Sequence, residues 1–284
     1  MEELRYILIF GLFHSLTYLV FSLGFSLVFG VARLPNLSYG ALYVLTGYST
    51  YVFLNYLNAP LYLAVPASIL LTAAVSLAIG ESIIKPAIKF PVSVFITTMA
   101  VAYIFEELFR IQMGLRPATL PLYPGTTTVL GVPVSNHWLL VTAACLVMVL
   151  ALLVFLYRTS VGKAIRAVAE SWEESMRLGV NPLKVLRTTF LVSGVYAAFT
   201  GILLAPLKAL TPTAGWSPLF AAFAIVVMGG IGNILGTVVA SLIYGFIEQF
   251  MVYALGGGIA RVAPLVLILL VLIFRPHGLF GRGE

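Results

Sequence analysis

Long apolar runs follow one another along this chain, and the polar segments between them are too short to hold a soluble domain. A helix that crosses a bilayer needs about 20 mostly apolar residues, and the shortest runs are typical of half-helices or re-entrant segments. The pattern predicts an all-α fold, a polytopic transmembrane helical bundle with about eight or nine spans, some of them discontinuous. The predicted spans are residues 6–32, 37–57, 61–79, 92–109, 138–157, 188–207, 219–231, 235–255 and 262–274.

Composition supports a single transmembrane domain over residues 1–284. Hydrophobic residues make up 61% and charged residues 9% of the sequence, and the mean hydropathy is +1.07. Ordinary soluble domains carry about a quarter charged residues. The first run is too long for a signal-peptide core, and Glu2 and Glu3 precede it where a basic leader would stand. We therefore expect this run to remain in the protein as a membrane helix.

Two breaks interrupt the apolar pattern in the way that discontinuous membrane helices do. The first lies at Pro35 and Asn36, and the second contains Gly229, Gly230, Gly232 and Gly236. Close helix packing is the better explanation of the glycines, because no strand precedes them. Proline removes a backbone donor, and polar groups at membrane depth need protein or water around them. We therefore expect the first break to border a translocation pathway. The pathway candidates there are Asn36, Ser38, Tyr39 and Gly40.

Residues 160–182 form a long charged segment in an otherwise apolar chain. Apolar residues recur in it at helical spacing, and charged residues fill the positions between them. The apolar set is Val161, Ile165, Val168, Trp172 and Met176, and the charged set is Lys163, Arg166, Glu170, Glu173, Glu174 and Arg177. We expect one amphipathic helix, capped by Thr159 or Ser160 and ended by Gly179 and Pro182. A cytoplasmic docking element is favoured over a solvated connector.

Basic residues indicate the orientation, because cytoplasmic loops of membrane proteins hold an excess of Lys and Arg. If residues 160–182 are cytoplasmic, alternation places the N-terminus outside and the C-terminus inside the plasma membrane. The predicted inside set is Arg33, Lys85, Lys89, Arg158, Lys163, Arg166, Arg177, Lys184, Arg187, Arg275 and Arg282, and the outside set is Arg5, Arg110, Arg116, Lys208 and Arg261. The loop 112–136 is then extracytoplasmic, either an ordered cap or a plain connector. This sorting explains the net charge of +6 without nucleic acid.

The sequence carries no pattern typical of catalysis or of a metal site. His14, His137 and His277 lie far apart, and the single Cys145 stands in an apolar run where packing is its expected role. Neither an HExxH motif nor a GxxxxGK[ST] phosphate loop is present. We therefore expect no cofactor, no metal and no ATPase site in this chain, and an intramembrane enzyme is disfavoured.

Ionisable residues within the apolar runs are candidates for function, since a charge at the bilayer centre costs about 2.5–3.5 kcal/mol on insertion scales. Glu248 is the clearest case: it lines a pathway, accepts a hydrogen bond from a Ser, Thr or Tyr of another span, or lies nearer the interface. Glu106 and Glu107 are expected to pair with Arg110 at i,i+4 and i,i+3 spacing. Glu81 is expected to mark the inner end of a helix.

Several short motifs occur in order along the chain. Asn-Leu-Ser-Tyr-Gly stands at 36–40 with Gly-Tyr at 47–48, and Gly-Lys-Ala-Ile-Arg-Ala-Val-Ala-Glu at 162–170 is followed by Leu-Gly-Val-Asn at 178–181. Val-Met-Gly-Gly-Ile-Gly-Asn stands at 227–233, and the tail at 274–281 reads Phe-Arg-Pro-His-Gly-Leu-Phe-Gly. Together they resemble the early elements, the cytoplasmic signature, the late glycine motif and the ending of branched-chain amino acid ABC importer permeases. The resemblance covers nearly the whole chain.

The resemblance implies the H-type subunit of a heterodimeric pore. Its partners would be an M-type permease subunit, two cytoplasmic ATP-binding subunits, an extracytoplasmic solute-binding protein, membrane lipid and a small-molecule solute. Leucine, isoleucine and valine are the default solutes, and other amino acids or urea-like amides stay open. The residues implied to couple to the ATPase are Gly162, Lys163, Ala164, Ile165, Arg166, Ala167, Val168, Glu170 and Gly179.

Three points stay open. The apolar side chains of the docking segment either enter a groove of the ATPase or pack on the protein's own helices, so that Arg166 and Glu170 face the ATPase. We favour a mixture of the two, in which Ala164 and Ala167 allow close approach. Tyr39 stands where the family often has His, and Ser171 with Trp172 stands where the family often has an acidic-Pro pair.

The alternative function is an ion-coupled secondary transporter or channel, with Glu248 or Glu106 as the coupling group.

Overall fold

The computed structural model describes residues 2–114, 117, 119, 120, 123–256, 266, 269, 273 and 278–280. These residues form helices and one short hairpin. The helices are α1 Glu2–Ala32, α2 Tyr39–Asn55, α3 Leu61–Ile79, α4 Lys85–Ala87, α5 Pro91–Met113, α6 Asn136–Arg158, α7 Ser160–Glu170, α8 Trp172–Arg177, α9 Pro182–Leu204, α10 Trp216–Gly229 and α11 Ile234–Leu255. A π-helical turn, Gly80–Ile84, joins α3 to α4, and the antiparallel strands are β1 Thr126–Val129 and β2 Val132–Ser135.

Six helices in the described residues are long and apolar enough to cross a membrane. They are Glu3–Ala32, Leu61–Ala87, Pro91–Met113, Asn136–Arg158, Pro182–Leu204 and Ile234–Leu255. α2 has 17 residues, at the lower limit for a full span, and α10 has 14, which is shorter than a full span. The prediction of a helical membrane bundle is thus confirmed. The predicted span 262–274 lies largely outside the described residues, as does most of the tail motif at 274–281.

Side-chain caps explain where several helices begin. The Thr159 side chain accepts a hydrogen bond from the Gly162 backbone N–H, as the sequence predicted, and Asn181 caps α9 in the same way. The segment 160–179, however, is not one helix. It divides at Ser171, which has extended backbone angles and caps α8 by accepting from Glu174 N–H. Pro182 opens α9 as its first residue, where proline needs no backbone partner.

The chain divides into two compact units, the first comprising Met1–Ser26, Leu122–Ala151 and Phe220–Glu284, and the second Leu27–Pro121 and Leu152–Leu219. In the second unit α9 packs against α2 and α3. Small polar residues allow this approach: Ser76 Oγ donates to Phe190 O at 2.8 Å, and Thr46 and Thr72 share a hydrogen bond of 2.8 Å. These hydrogen bonds lie within the apolar packing of the unit and link α3 to α9 and to α2.

In the first unit, the N-terminal part of α1 packs against α11 and against the hairpin. Tyr18 and Tyr244 belong to one buried apolar cluster with residues of α10, and Ile9, Phe13 and Val134 of β2 form a second cluster. Residues 126–135 of the loop predicted at 112–136 are thus an ordered hairpin, which packs on its own unit. Residues 115, 116, 118, 121 and 122 of that loop lie outside the described part.

The glycine-rich break in the first unit is a tight turn between α10 and α11. Asn233 caps α11, and a Cβ added at Gly236 would overlap the carbonyl oxygen of Gly229. Close packing of the two helices, expected from the sequence, is therefore confirmed. The tail docks on the same turn, since Leu279 N–H donates to Met228 O at 2.7 Å and Asn233 Nδ2 donates to Phe280 O at 3.0 Å.

We expect Gly236→Ala to destabilise the protein by about 1–3 kcal/mol, because the added methyl group has no space between α10 and α11. Folded yield in mild detergent and the apparent Tm measure this effect. Leu235→Ala is the matched control, since Leu235 is exposed on the same helix turn and its truncation opens no buried cavity. An unchanged Tm for Gly236→Ala would contradict the close helix contact.

Candidate functional site

The docking segment, defined as α7 and α8, folds back onto the end of α6. Gly162 permits this because a Cβ there would overlap backbone atoms of Phe155 and Leu156, and Ile165 and Val168 are buried. Arg166 Nε donates to Leu156 O at 3.2 Å, and the guanidinium carbon lies 4.4 Å from the Tyr157 ring centroid. Of the two arrangements left open by the sequence, Ile165 and Val168 adopt the one that packs on the protein's own helices.

Two further hydrogen bonds tie the docking segment to the end of α1. Trp172 Nε1 donates to Val31 O at 2.7 Å, and Arg33 Nη2 donates to Glu170 O at 3.0 Å. Sequence reasoning did not anticipate either contact, because the partners are 141 and 137 residues apart. α7 and α8 also pack against α9, so the docking segment contacts three long helices, α1, α6 and α9.

The outer face of the docking segment mixes charged and apolar side chains. Lys163, Arg166 and Glu170 are exposed, as are Glu173, Glu174 and Arg177. Val161 is 41%, Met176 54% and Leu178 79% exposed. Ala164 and Ala167 are half-buried, and Gly179 follows α8 with a φ of +79°, the left-handed conformation in which glycine commonly ends a helix. Met176 belongs to the apolar set that the sequence predicted, whereas the exposed side chain of Leu178 was not part of that prediction.

The break between α1 and α2 is buried within the second unit. Asn36 Oδ1 accepts hydrogen bonds from Ser38 N–H at 3.1 Å and from Ser38 Oγ at 2.6 Å. Leu37 N–H donates to Thr98 Oγ1 of α5 at 3.3 Å. Tyr39 is fully buried, and Gly40 lies so close to Gly215 that a Cβ would sit 2.6 Å from its carbonyl oxygen. The polar groups of the break are thus satisfied inside the protein.

A small cleft opens beside this break, within the second unit. Two of its lining residues, Leu37 and Gly40, come from the break and the start of α2. The remaining walls come from α2, α5, the segment after α9 and the start of α10: Ala41, Val44, Ala102, Glu106, Phe109, Pro212, Gly215, Trp216 and Leu219. The pathway candidate Gly40 therefore lines the cleft, whereas Asn36, Ser38 and Tyr39 are not among its lining residues.

Glu106 is the acidic residue in this cleft. Its Oε1 accepts from Arg110 Nη2 at 2.9 Å, and Arg110 Nε lies 3.6 Å from Glu107 Oε2, so both predicted pairs are confirmed. Its other oxygen accepts from Trp216 Nε1 at 2.8 Å. The ion pair follows from the sequence spacing, but the indole contact depends on how α5 and α10 pack.

Glu81 and Glu248 have different surroundings. Glu81 lies in the π-helical turn and forms ion pairs with Lys85 at 2.8 Å and with Arg187 of α9 at 2.9 Å. Glu248 belongs to the first unit, where Tyr18 OH donates to its Oε1 at 3.0 Å. This confirms the expected hydrogen bond from a tyrosine of another helix. Among the residues that the structure describes, no group of His, Cys, Asp or Glu could hold a metal ion.

Comparison with known sequences gives the family. Residues 7–274 match the family described as branched-chain amino acid transport system / permease component. The chain belongs to this family. The permease is 27% identical to BraD of Pseudomonas aeruginosa over 98% of this chain and 95% of that protein, and 27% identical to LivH of Salmonella typhimurium over 94% and 92%. It is 24% identical to LivM of Salmonella typhimurium over 93% of this chain and 68% of that protein.

BraD, LivH and LivM are each named as a high-affinity branched-chain amino acid transport system permease protein. No solved structure is significantly similar to the permease. The family shown here is the one that the motifs at 36–40, 162–170, 227–233 and 274–281 predicted.

For Glu248 of the permease we expect a structural role. Glu248→Gln keeps shape and most hydrogen-bonding capacity but cannot titrate, so ATP-dependent uptake should be retained with little change in its pH dependence. Glu248→Leu should lower the folded yield by leaving the Tyr18 hydroxyl without its acceptor, a cost of about 1–3 kcal/mol.

Adding Tyr18→Phe to Glu248→Leu is the matched control, because removing both polar partners should restore part of the lost stability. Loss of uptake in the Gln variant at normal expression would instead make Glu248 a proton-coupling acid.

Proposed function

We propose that this permease forms half of the translocation pore of an ATP-driven importer for branched-chain or related amino acids. The observation that carries the proposal is the family match over residues 7–274. The H-type assignment is supported by coverage, since the chain spans 95% of BraD and 92% of LivH but 68% of LivM.

The proposed assembly contains an M-type permease subunit, two ATP-binding subunits on the cytoplasmic side and a solute-binding protein outside. The permease itself would hold no ATPase site and no cofactor. The docking segment would face the cytoplasm, with the N-terminus outside and the C-terminus inside, as the distribution of Lys and Arg favours. Leucine, isoleucine and valine are the solutes that the names of the relatives favour.

The contacts of the docking segment support a mechanism of coupling. ATP-driven closure of the cytoplasmic subunits would supply the energy difference between two pore states. A force on α7 and α8 would be transmitted to the end of α1 through the hydrogen bonds of Trp172 and Arg33. It would be transmitted to α6 through the hydrogen bond of Arg166. Because these bonds join the segment to long helices at short range, a displacement of α7 and α8 would move the membrane helices with it.

Uptake by the assembled transporter in proteoliposomes tests the function. With solute-binding protein outside and ATP inside, we expect leucine to accumulate, and we expect no accumulation when ATP is replaced by a non-hydrolysable analogue. An imposed proton or sodium gradient without ATP should not restore uptake. Uptake driven by such a gradient alone would favour the ion-coupled alternative.

The double variant Met176→Ser with Leu178→Ser tests the docking surface. Both side chains are exposed, so the permease should fold normally. Burying each against a partner would stabilise the complex by about 1.5–3 kcal/mol, so its binding of the ATP-binding subunits should weaken by tenfold or more. Co-purification and solute-stimulated ATP hydrolysis measure this effect.

Leu57→Ser is the matched control for this surface, since Leu57 is equally exposed in the loop after α2 and should leave both measurements unchanged. Ile165→Ser should instead lower the folded yield, because Ile165 is buried in the permease itself. If the double variant binds and couples like the native protein, Met176 and Leu178 are not contact residues.

A further inference from the structure

The cleft of the second unit combines apolar walls with one carboxylate. Val44, Phe109 and Leu219 provide apolar surface, and Glu106 supplies the charge. The Glu106 side chain is 11% exposed, whereas the side chain of its neighbour Glu107 is 58% exposed. An ionised carboxylate in apolar surroundings forms strong, charge-assisted hydrogen bonds, so a cationic group that enters this cleft gains more from Glu106 than it would from a surface acid.

Glu106 retains acceptor capacity although both of its oxygens already accept a hydrogen bond. A carboxylate provides about four acceptor sites, and Arg110 Nη2 and Trp216 Nε1 occupy one on each oxygen. Arg110 lies at the surface with 45% of its side chain exposed. Arg110 also lies 3.6 Å from the exposed carboxylate of Glu107, so it keeps a partner when an entering cation takes its place on Glu106.

We infer that Glu106 receives the α-ammonium group of the transported amino acid, and that the apolar walls of the cleft receive its branched side chain. This inference rests on the proposed function and adds a residue that recognises the solute inside the permease itself. Charge complementarity and the apolar lining together select the class of ligand, a primary ammonium ion that carries an aliphatic group.

The lining favours an ammonium group over a metal ion. Calcium takes about six to eight oxygen ligands and magnesium an octahedral set, whereas Glu106 is the only carboxylate among the lining residues. An ammonium group needs few acceptors and is attracted to aromatic faces. Trp216 and Phe109 both line the cleft, and the Trp216 ring centroid lies 5.3 Å from that of Tyr103.

The site suits transit of the solute rather than its storage. The cleft is small in this conformation, so its walls must separate before a whole amino acid can enter. A transport site must bind well enough for entry and weakly enough for release, which a single charged contact provides.

Uptake by the complete transporter tests Glu106 with saturating solute-binding protein and ATP. Glu106→Gln keeps an oxygen that accepts from Trp216 but removes the negative charge, so leucine uptake should fall by about tenfold to a hundredfold. Glu107→Gln, the matched control, should transport within about twofold of the native complex, because Glu107 lies outside the cleft lining and its ion pair is exposed.

The two proposals fail in different ways. If the native complex takes up leucine and Glu106→Gln transports equally well, the ammonium site is wrong and the importer assignment stands. If the native complex takes up no amino acid, the proposed function fails as well. If Glu106 only held Trp216 in place, Glu106→Gln would transport nearly normally and Trp216→Phe would lose activity.

Ligand binding to the purified complex without solute-binding protein gives a second readout. 3-Methylbutylamine carries the ammonium and branched groups, and 4-methylpentanoate carries the branched group and a carboxylate. The amine should raise the Tm of the native complex and of Glu107→Gln but leave that of Glu106→Gln unchanged, and the acid should raise none. No shift with the amine, or an equal shift in all three proteins, would overturn the assignment.

Discussion

Lipid offers no hydrogen bonds, so a polar group at membrane depth costs several kcal/mol unless the protein satisfies it. The break between α1 and α2 illustrates this constraint. Asn36 Oδ1 accepts from the backbone N–H and the hydroxyl of Ser38, and Thr98 Oγ1 of α5 accepts from the Leu37 N–H. The break therefore requires side chains of a particular kind at 36, 38 and 98, and these side chains fix where α5 must lie against it.

The same constraint governs the charged side chains of the long helices. Glu81 is paired with Lys85 and Arg187, Glu106 with Arg110 and Trp216, and Glu248 with Tyr18. In each case at least one partner comes from another helix, so each carboxylate also joins two helices. Their surroundings nevertheless differ, because among these three Glu106 alone lines the cleft.

The sequence predicted those features that depend on local spacing. Six of the predicted membrane helices, the Thr159 cap, the Glu106 and Arg110 pair, and the close approach at Gly229 and Gly236 all follow from residues near one another in the chain. The division at Ser171 was missed, although Ser171 with Glu174 three residues later is the pattern of a capping box. Contacts such as Trp172 with Val31 span 141 residues and depend on packing, which one sequence does not reveal.

The π-helical turn after α3 changes which side chains meet α9. Positions four apart drift by about 40° per step around a regular α-helix, so such a series would soon turn away toward lipid. Ser68, Thr72, Ser76, Gly80 and Ile84 are nevertheless all buried. A π-helical turn accommodates an additional residue and slows this rotation. The π-helical turn covers only the last step of this series, from Gly80 to Ile84, and there it keeps Ile84 on the buried side. The lipid-facing side of this helix therefore cannot be assigned with one constant period.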